Sequence, residues 1–261
     1  MLASGRVEIG PREADWVIEA AERRASTIDE VERIALEFAK RRAEGEPLQY
    51  VLGTAAFRHL ELSVGPGVLV PRPETEVLVE RALDRLPQGG TIVDVGTGSG
   101  AIALAIKQER PDARVWATDD STDALDYARA NRERLGLDLE ILCGGLFEPL
   151  PGSLRGGFDV VVSNPPYVSE SETHLVAPDV LGHEPDHAVF GGGGDGLSIV
   201  TTLVRQTSAW LRPEGWLVCE IGHGQSAAVV ELLESAGFVD AGVHEDLAGW
   251  DRIVEGRKPE Q

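Results

Sequence analysis

A chain of 261 residues with 42% hydrophobic content can bury a substantial core, and its length suits one large domain or one domain with a small appendage. A formal net charge of −20 repels polyanions, and the densest basic runs, "ERR" and "KRR", sit among compensating acids; naked DNA or RNA is disfavoured, a positively charged partner surface favoured. No apolar run approaches the roughly 20 residues of a membrane span, no basic-then-apolar leader opens the chain, and Cys143 and Cys219 lack paired spacing, so a cytoplasmic protein with two small, buried thiols is expected.

The first segment reads as helical. From about Glu13 to Ala25, Trp16, Val17 and Ala21 outline a short helix. "STIDEVERIALEFAKRRAEG" then carries a capping box, Thr27 with Glu30, followed by Ile28, Val31, Ile34, Ala35 and Phe38 at helical spacing and a stop at Gly45. From Phe57 the period changes to two, and Leu60, Leu62 and Val64, then Val68 and Val70, flank "GPG". This predicts a β-hairpin turning at Gly65 to Gly67. After Glu74 a helix carries Val77, Leu78, Val79 and Leu83, and "PQGG" marks the start of the core. Strands and helices then alternate: "TIVDV", "AIALAIKQE", "ARVWATD", "DALDYARANRERLG", "LEIL", "FDVVVSN", "GLSIVTTLVRQTSAWL", "GWLVCEIG" and "SAAVVELLESAGF", with "FVDAGVHEDL" and "DRIVEGR" adding an antiparallel pair. The pattern predicts an α/β fold, a doubly wound, mostly parallel sheet with its ligand at the C-terminal strand ends. The expected division is a helical appendage over 1–52, a hairpin linker over 53–73 and the sheet domain over 74–261. "GGGG" at Gly191 to Gly194 reads as a flexible loop.

Two strand ends carry chemistry. "VDVGTGSG" places Gly96, Gly98 and Gly100, with Asp94, Thr97 and Ser99, between the first core strand and a helix, where a ligand can approach the backbone and the helix N–H groups are free. The spacing differs from a dinucleotide fingerprint, with Ala101 at its final glycine. At the end of the next strand Asp119 is positioned to accept from ribose hydroxyls, which implies an adenosine-type cofactor. "VVSNPPYVSE" ends a buried strand in Asn164, Pro165, Pro166 and Tyr167, and the two prolines stiffen an acceptor-rich corner. By turn chemistry alone that motif is equally a strand terminator.

The glycine loop with Asp119 resembles the cofactor site of class I S-adenosylmethionine-dependent methyltransferases, and "NPPY" is similar to their signature for methylating a planar nitrogen, shared by enzymes of DNA-base amines and of glutamine amides. "EPLQYVLGTAAF" with "VGPGVLVPRPETEVLVE", "HEPDHAVFGGGGDGL", "EIGHGQ" and "DLAGWDRIVEGR" resemble the HemK/PrmC family of protein-(glutamine-N5) methyltransferases. That resemblance implies S-adenosylmethionine as cofactor, held by Asp94, Gly96, Thr97, Gly98, Ser99, Gly100, Asp119, Leu146 and Asn164. It implies peptide chain release factors as protein substrate, methylated in their Gly-Gly-Gln loop by a monomer, with no membrane, nucleic acid or metal involved. Asn164 Oδ1 and the Pro165 carbonyl would each accept one amide N–H, with Tyr167 as a flat face for the amide. Pro166, Arg72 and Glu74 would shape the substrate pocket, although in "PRPETE" Glu74 and Glu76 also read as satisfying helix N-terminal amides. His183 and Glu184 could close over the pocket, but a loop histidine is more often solvated. Two departures stand out. Gly145 replaces the Asp that relatives commonly offer to adenine, leaving backbone near Leu146 or another acceptor, and the appendage ahead of Glu46 is shorter than the family's docking domain. The alternatives are methylation of a ribosomal-protein glutamine or a nucleic-acid amine, and a non-catalytic cofactor-binding module.

Overall fold

The computed structural model describes residues 9–260; the first eight residues of the expected helical appendage, and Gln261, lie outside the described residues. Helix α1 (Pro11–Glu22) starts on a proline and buries Val17, Ala20 and Ala21. Helix α2 (Ile28–Ala43) is capped by Thr27, whose hydroxyl accepts the Glu30 N–H at 3.3 Å, while the Glu30 carboxylate takes the N–H of Ser26 rather than that of the cap residue. Ile28 is 78% exposed, so the buried stripe starts a turn later than expected and culminates in Phe38. Phe38 packs with Val17, Ala20 and the Leu48 and Val51 side chains of α3 (Leu48–Leu52).

The hairpin forms, but one turn earlier than the glycines suggest. Strand β1 (Thr54–Phe57) pairs antiparallel with β2 (Leu60–Ser63) around Arg58 and His59. Arg58 takes a left-handed φ of 51°, a conformation without the glycine or asparagine that usually announces it. Tertiary contacts hold it instead: Glu76 accepts its N–H at 2.9 Å and Glu109 its guanidinium at 2.5 and 2.9 Å. The "GPG" stretch is a separate turn pressed onto the sheet domain. A Cβ on Gly65 would stand 2.3 Å from the Tyr127 hydroxyl, so glycine is there for close approach. Val68 and Val70 join the buried cluster with Tyr50 and Val64 rather than continuing a strand.

Beyond helix α4 (Thr75–Arg85) the chain alternates as predicted: β3 (Thr91–Val95), α5 (Ala101–Glu109), β4 (Arg114–Asp119), α6 (Thr122–Leu135), β5 (Glu140–Cys143) and β6 (Phe158–Ser163). After two short helices, α7 (Pro178–Leu181) and α8 (Asp186–Val189), come α9 (Ser198–Thr207), β7 (Leu211–Glu220), α10 (Ser226–Ser235), β8 (Val239–Glu245) and β9 (Asp251–Arg257). The seven strands lie in the order β5-β4-β3-β6-β7-β9-β8, parallel from β5 to β7, with β9 antiparallel to β7 and β8 to β9. Alternate residues of the central strands feed two cores. Ile92, Val160 and Val162 face Leu78, Leu104 and Leu125 of α4, α5 and α6, while Val93, Val95 and Val161 face Leu203 and Leu233 of α9 and α10. At roughly 1.5–3 kcal/mol for each large side chain buried, these two layers supply the main stabilisation of the sheet.

Cys219 is buried as expected, whereas Cys143 is exposed, because it ends the edge strand β5, which no further strand covers. The sheet order also sets the site. From β3 the chain moves to β4 and β5 on one side and to β6 on the other, so a crevice opens at the C-terminal ends of β3 and β6. Those ends carry the glycine loop and Asn164.

Candidate active site

Two adjoining cavities meet at the end of β6. The first is lined by Gly96, Thr97, Gly98 and Ser99 of the glycine loop, by Asp119, Gly145 and Leu146, and by Val68 of the "GPG" turn. The second is lined by Glu74, Tyr167, Leu175, Val176, His223 and Arg252, among others. Asn164, Pro165, Pro166 and Arg72 line both, with Leu69 and Ala188. The rigid corner is thus a partition between two binding spaces rather than the floor of one.

The glycine loop is built to carry a ligand. Gly96 has φ 76°, and a Cβ added there would meet nothing within 4 Å, so the missing side chain leaves open space over the backbone. Gly100 differs: it has φ 86° and packs against Leu104 at the start of α5, outside the cavity lining. Asp94 also stands behind the loop. Fully buried, its Oδ2 accepts the Thr97 hydroxyl at 2.6 Å and the Ala103 N–H at 3.2 Å, tying the loop to α5, and its Oδ1 has no hydrogen-bond partner. Burial pushes its carboxyl up to about 7 against the help of those two donors. Both Asp94 and Gly100 therefore shape the glycine loop from outside the cavity.

Asp119 does line it. One carboxylate oxygen accepts the Gly98 N–H at 2.8 Å and the other the Ser121 N–H at 2.9 Å, so the group is fixed on the loop side while facing the cavity. Burial raises its pKa, opposed by those amide donors. Beside it, Leu146 holds a left-handed φ of 47° and its carbonyl accepts the Thr118 hydroxyl at 2.7 Å. A Cβ on Gly145 would lie 3.7 Å from the Glu148 carboxylate, but Glu148 itself does not line the cavity, so Gly145 and Leu146 present backbone there. An open glycine cradle beside a fixed carboxylate suits a nucleoside with vicinal hydroxyls, so the residues fit an adenosine-type cofactor.

Around the partition, Asn164 Nδ2 donates to the Thr75 hydroxyl at 3.1 Å, and that hydroxyl donates to Glu220 at 2.7 Å. Tyr167 donates to the other Glu220 oxygen at 3.3 Å, and its own phenol pKa is raised by burial and by the Glu220 charge. Glu220, at the end of β7, is fully buried and its carboxyl is pushed up to about 7 by that burial. Behind Tyr167 the glycine tract is packed at Gly191, whereas Gly193 and Gly194 are exposed in a turn. A Cβ on Gly191 would sit 1.9 Å from the Gly196 carbonyl and 2.6 Å from the Pro166 carbonyl, while Gln225 donates to the Tyr167 and Asp195 carbonyls.

The "PRPETE" segment also differs from expectation. Glu74 lines the second cavity but makes no side-chain cap to α4, and Glu76 turns to Arg58 instead. Arg72 donates to Glu184 at 2.5 Å, and the same carboxylate accepts the Val70 N–H at 3.3 Å, so the "HEP" loop is tied by its glutamate to the segment ahead of α4, while neither His183 nor Glu184 lines either cavity. Burial raises the Glu184 pKa and Arg72 opposes it. Thr75 and Glu220 were not legible as site residues. The one signal was an acid closing an otherwise apolar strand, "WLVCE", in a position that a buried strand rarely gives to a charge.

The comparisons agree with this architecture. Residues 73–194 match the family described as Methyltransferase small domain. The chain is 43% identical over 217 residues to the release factor glutamine methyltransferase of Geobacter sulfurreducens, which covers 83% of this chain and 75% of that protein. To the protein of the same name from Gloeobacter violaceus it is 41% identical over 273 residues, covering 97% and 93%. Among solved structures, a methyltransferase from Pyrococcus furiosus superposes with a TM-score of 0.60 at 21% identity, covering 78% of this chain and 92% of that one. At that identity the likeness is one of fold.

Proposed function

We propose that this chain, which belongs to the release factor glutamine methyltransferase family, methylates a glutamine side-chain nitrogen in a peptide chain release factor. It is a methyltransferase that uses S-adenosylmethionine, as its family does. The observation that carries the site assignment is the partition: Asn164, Pro165 and Pro166 line both cavities at once, so a group bound in one faces a group bound in the other.

In this reading the first cavity holds the cofactor. Gly96, Thr97, Gly98 and Ser99 cradle it, Asp119 accepts from its ribose, and Leu146 with Gly145 flanks its base. When bound, S-adenosylmethionine supplies a methyl group on a positively charged sulfur. The second cavity takes the glutamine side chain. An amide nitrogen is a weak nucleophile because its lone pair is delocalised, so positioning carries most of the catalysis. Asn164 Oδ1 accepts one N–H of the substrate amide and the Pro165 carbonyl the other, which turns the nitrogen towards the partition. Pro166 stiffens those acceptors, Tyr167 supports the amide plane, and Arg72, locked by Glu184, closes the side. Glu74 and Arg252 edge the entrance, where Leu175 is 72% exposed and offers an apolar contact to a protein loop.

We assign substrate docking to the segment 1–52, whose described part is mainly helical, linkage to 53–73 and chemistry to 74–261. The protein acts as a cytoplasmic monomer in this account. The −20 charge favours a substrate with a positive surface over a polyanion, and no helix among the described residues is long and apolar enough to cross a membrane. Incubation with a purified release factor and methyl-labelled S-adenosylmethionine, followed by peptide fragmentation, tests the reading. One methyl on the glutamine of the Gly-Gly-Gln loop is expected; transfer to another residue, or none, overturns it.

A further inference from the structure

The Thr75 hydroxyl is buried between two polar side chains, the Glu220 carboxylate at 2.7 Å and the Asn164 Nδ2 at 3.1 Å. A hydroxyl has one proton to give. An ionised carboxylate is acceptor-only and takes it, so the face of Thr75 towards Asn164 is a lone pair, which only the NH2 end of the Asn164 amide satisfies. The reverse amide orientation would set two acceptors against each other in a buried place, a conflict that costs more than the bond it replaces. The second carboxylate oxygen receives the Tyr167 hydroxyl at 3.3 Å, so one acid fixes both sides of the corner.

We propose that Glu220 is a positioning residue which, acting through Thr75, sets which end of the Asn164 side chain faces the substrate nitrogen. The proposal rests on the reading of Asn164 as the acceptor for the glutamine amide. Its corollary is a proton switch. A protonated Glu220 can itself donate to Thr75, which frees the Thr75 hydroxyl to donate to Asn164 Oδ1, and the amide loses its enforced orientation. Burial raises the Glu220 pKa to about 7, so the change falls near neutrality. The groups facing Glu220 are Thr75 of α4, Glu74 just before it, Tyr167 after β6, and Arg252 of β9, which is itself bonded to Asp246. Arg252 favours the charged form and Glu74 the neutral one.

The test has one readout that needs no turnover. In the 15N-labelled protein, the Asn164 side-chain NH2 resonances, assigned by their loss in Asn164→Asp, are followed between about pH 5.5 and 8.5. They should titrate with a midpoint near 7, and Glu220→Gln should abolish that titration. Turnover on a release factor should rise over the same range. In Glu220→Gln, whose amide oxygen still accepts from Thr75, it should be flat with pH; in Glu220→Met, which offers no acceptor, it should be flat and lowered about tenfold or more, as for one misaimed contact at the reacting nitrogen, while affinity for S-adenosylmethionine stays within about twofold in both. Thr75→Val should behave like Glu220→Met, and Thr75→Ser, which keeps the hydroxyl, should recover most of the loss. Resonances that do not titrate, a Glu220→Gln protein with the parent pH profile, or a Glu220→Met protein with the parent turnover overturns the proposal. A titrating Asn164 in a protein that fails to methylate a release factor would support the coupling and count against the substrate assignment alone.

Discussion

Replacing Asp119 with alanine removes the carboxylate that faces the glycine-loop cavity and also accepts the Gly98 and Ser121 N–H groups at 2.8 and 2.9 Å. If the remaining lone pairs accept the two ribose hydroxyls, two charge-assisted bonds vanish on binding. Such bonds contribute about 1.5–3 kcal/mol each, and water refilling the gap returns part of that. A net loss of about 3 kcal/mol corresponds to an S-adenosylmethionine Kd roughly a hundredfold weaker. Asp119→Asn should not rescue it. One carboxamide oxygen cannot serve two backbone donors on opposite sides, and its NH2 would face one of them, so a loss of about tenfold or more remains. Calorimetric titration with S-adenosylmethionine and with S-adenosylhomocysteine gives both constants, and because both ligands carry the ribose, both should weaken together. A Kd within about twofold of the parent for Asp119→Ala would refute the ribose assignment. So would a loss confined to one of the two ligands.

Asn164→Ala should leave cofactor affinity nearly unchanged and lower turnover about a hundredfold or more, checked by calorimetry beside single-turnover methyl transfer; equal losses in both would place Asn164 in cofactor binding instead. Arg72→Met strips the partner from Glu184, a buried carboxylate, and should cost roughly 3 kcal/mol of stability in urea unfolding, with Glu184→Gln restoring part of it in the double variant. Glu220 should also make stability depend on pH. Its carboxyl is raised in the folded chain to about 7, so its stabilising contribution is complete below the ordinary glutamate range and is lost as pH rises through about 7. At about 1.4 kcal/mol per unit the loss approaches roughly 3 kcal/mol, and Glu220→Gln should flatten the decline in unfolding free energy between about pH 5 and 8 by that amount. Asp94, also raised to about 7, contributes in the same direction and remains in the variant.

Much of this architecture is written in local sequence. The strands and helices from "TIVDV" onward were legible because period and punctuation agree: β3 is mostly apolar and buried on both faces, and glycine loops or caps end its neighbours. The glycine loop, Asp119 and "NPPY" were legible for the same reason, since each sits at a strand end where a doubly wound sheet must place its ligand. The misplaced hairpin turn shows the opposite case. Arg58 holds a left-handed turn through Glu76 and Glu109, the latter 51 positions away, so no local pattern marks it, whereas "GPG" marks a turn whose purpose is close approach to Tyr127. Glu74 misled because an acid before a helix usually caps it, and here it lines the second cavity. The network behind Asn164 was out of reach because Thr75 and Glu220 stand 145 positions apart and meet only when α4 packs across β7.

A partition of Asn164, Pro165 and Pro166 that presents a glutamine nitrogen to the cofactor must leave its mark on that nitrogen alone. Mass spectrometry of a purified release factor, after incubation with this protein and S-adenosylmethionine, tests it most directly when a glutamine-to-alanine variant of the Gly-Gly-Gln loop is run beside the parent. One added methyl is expected on the parent, mapped to that glutamine, and none on the variant. Equal methylation of both, or an unmodified parent in the presence of a protein that binds the cofactor, would contradict it.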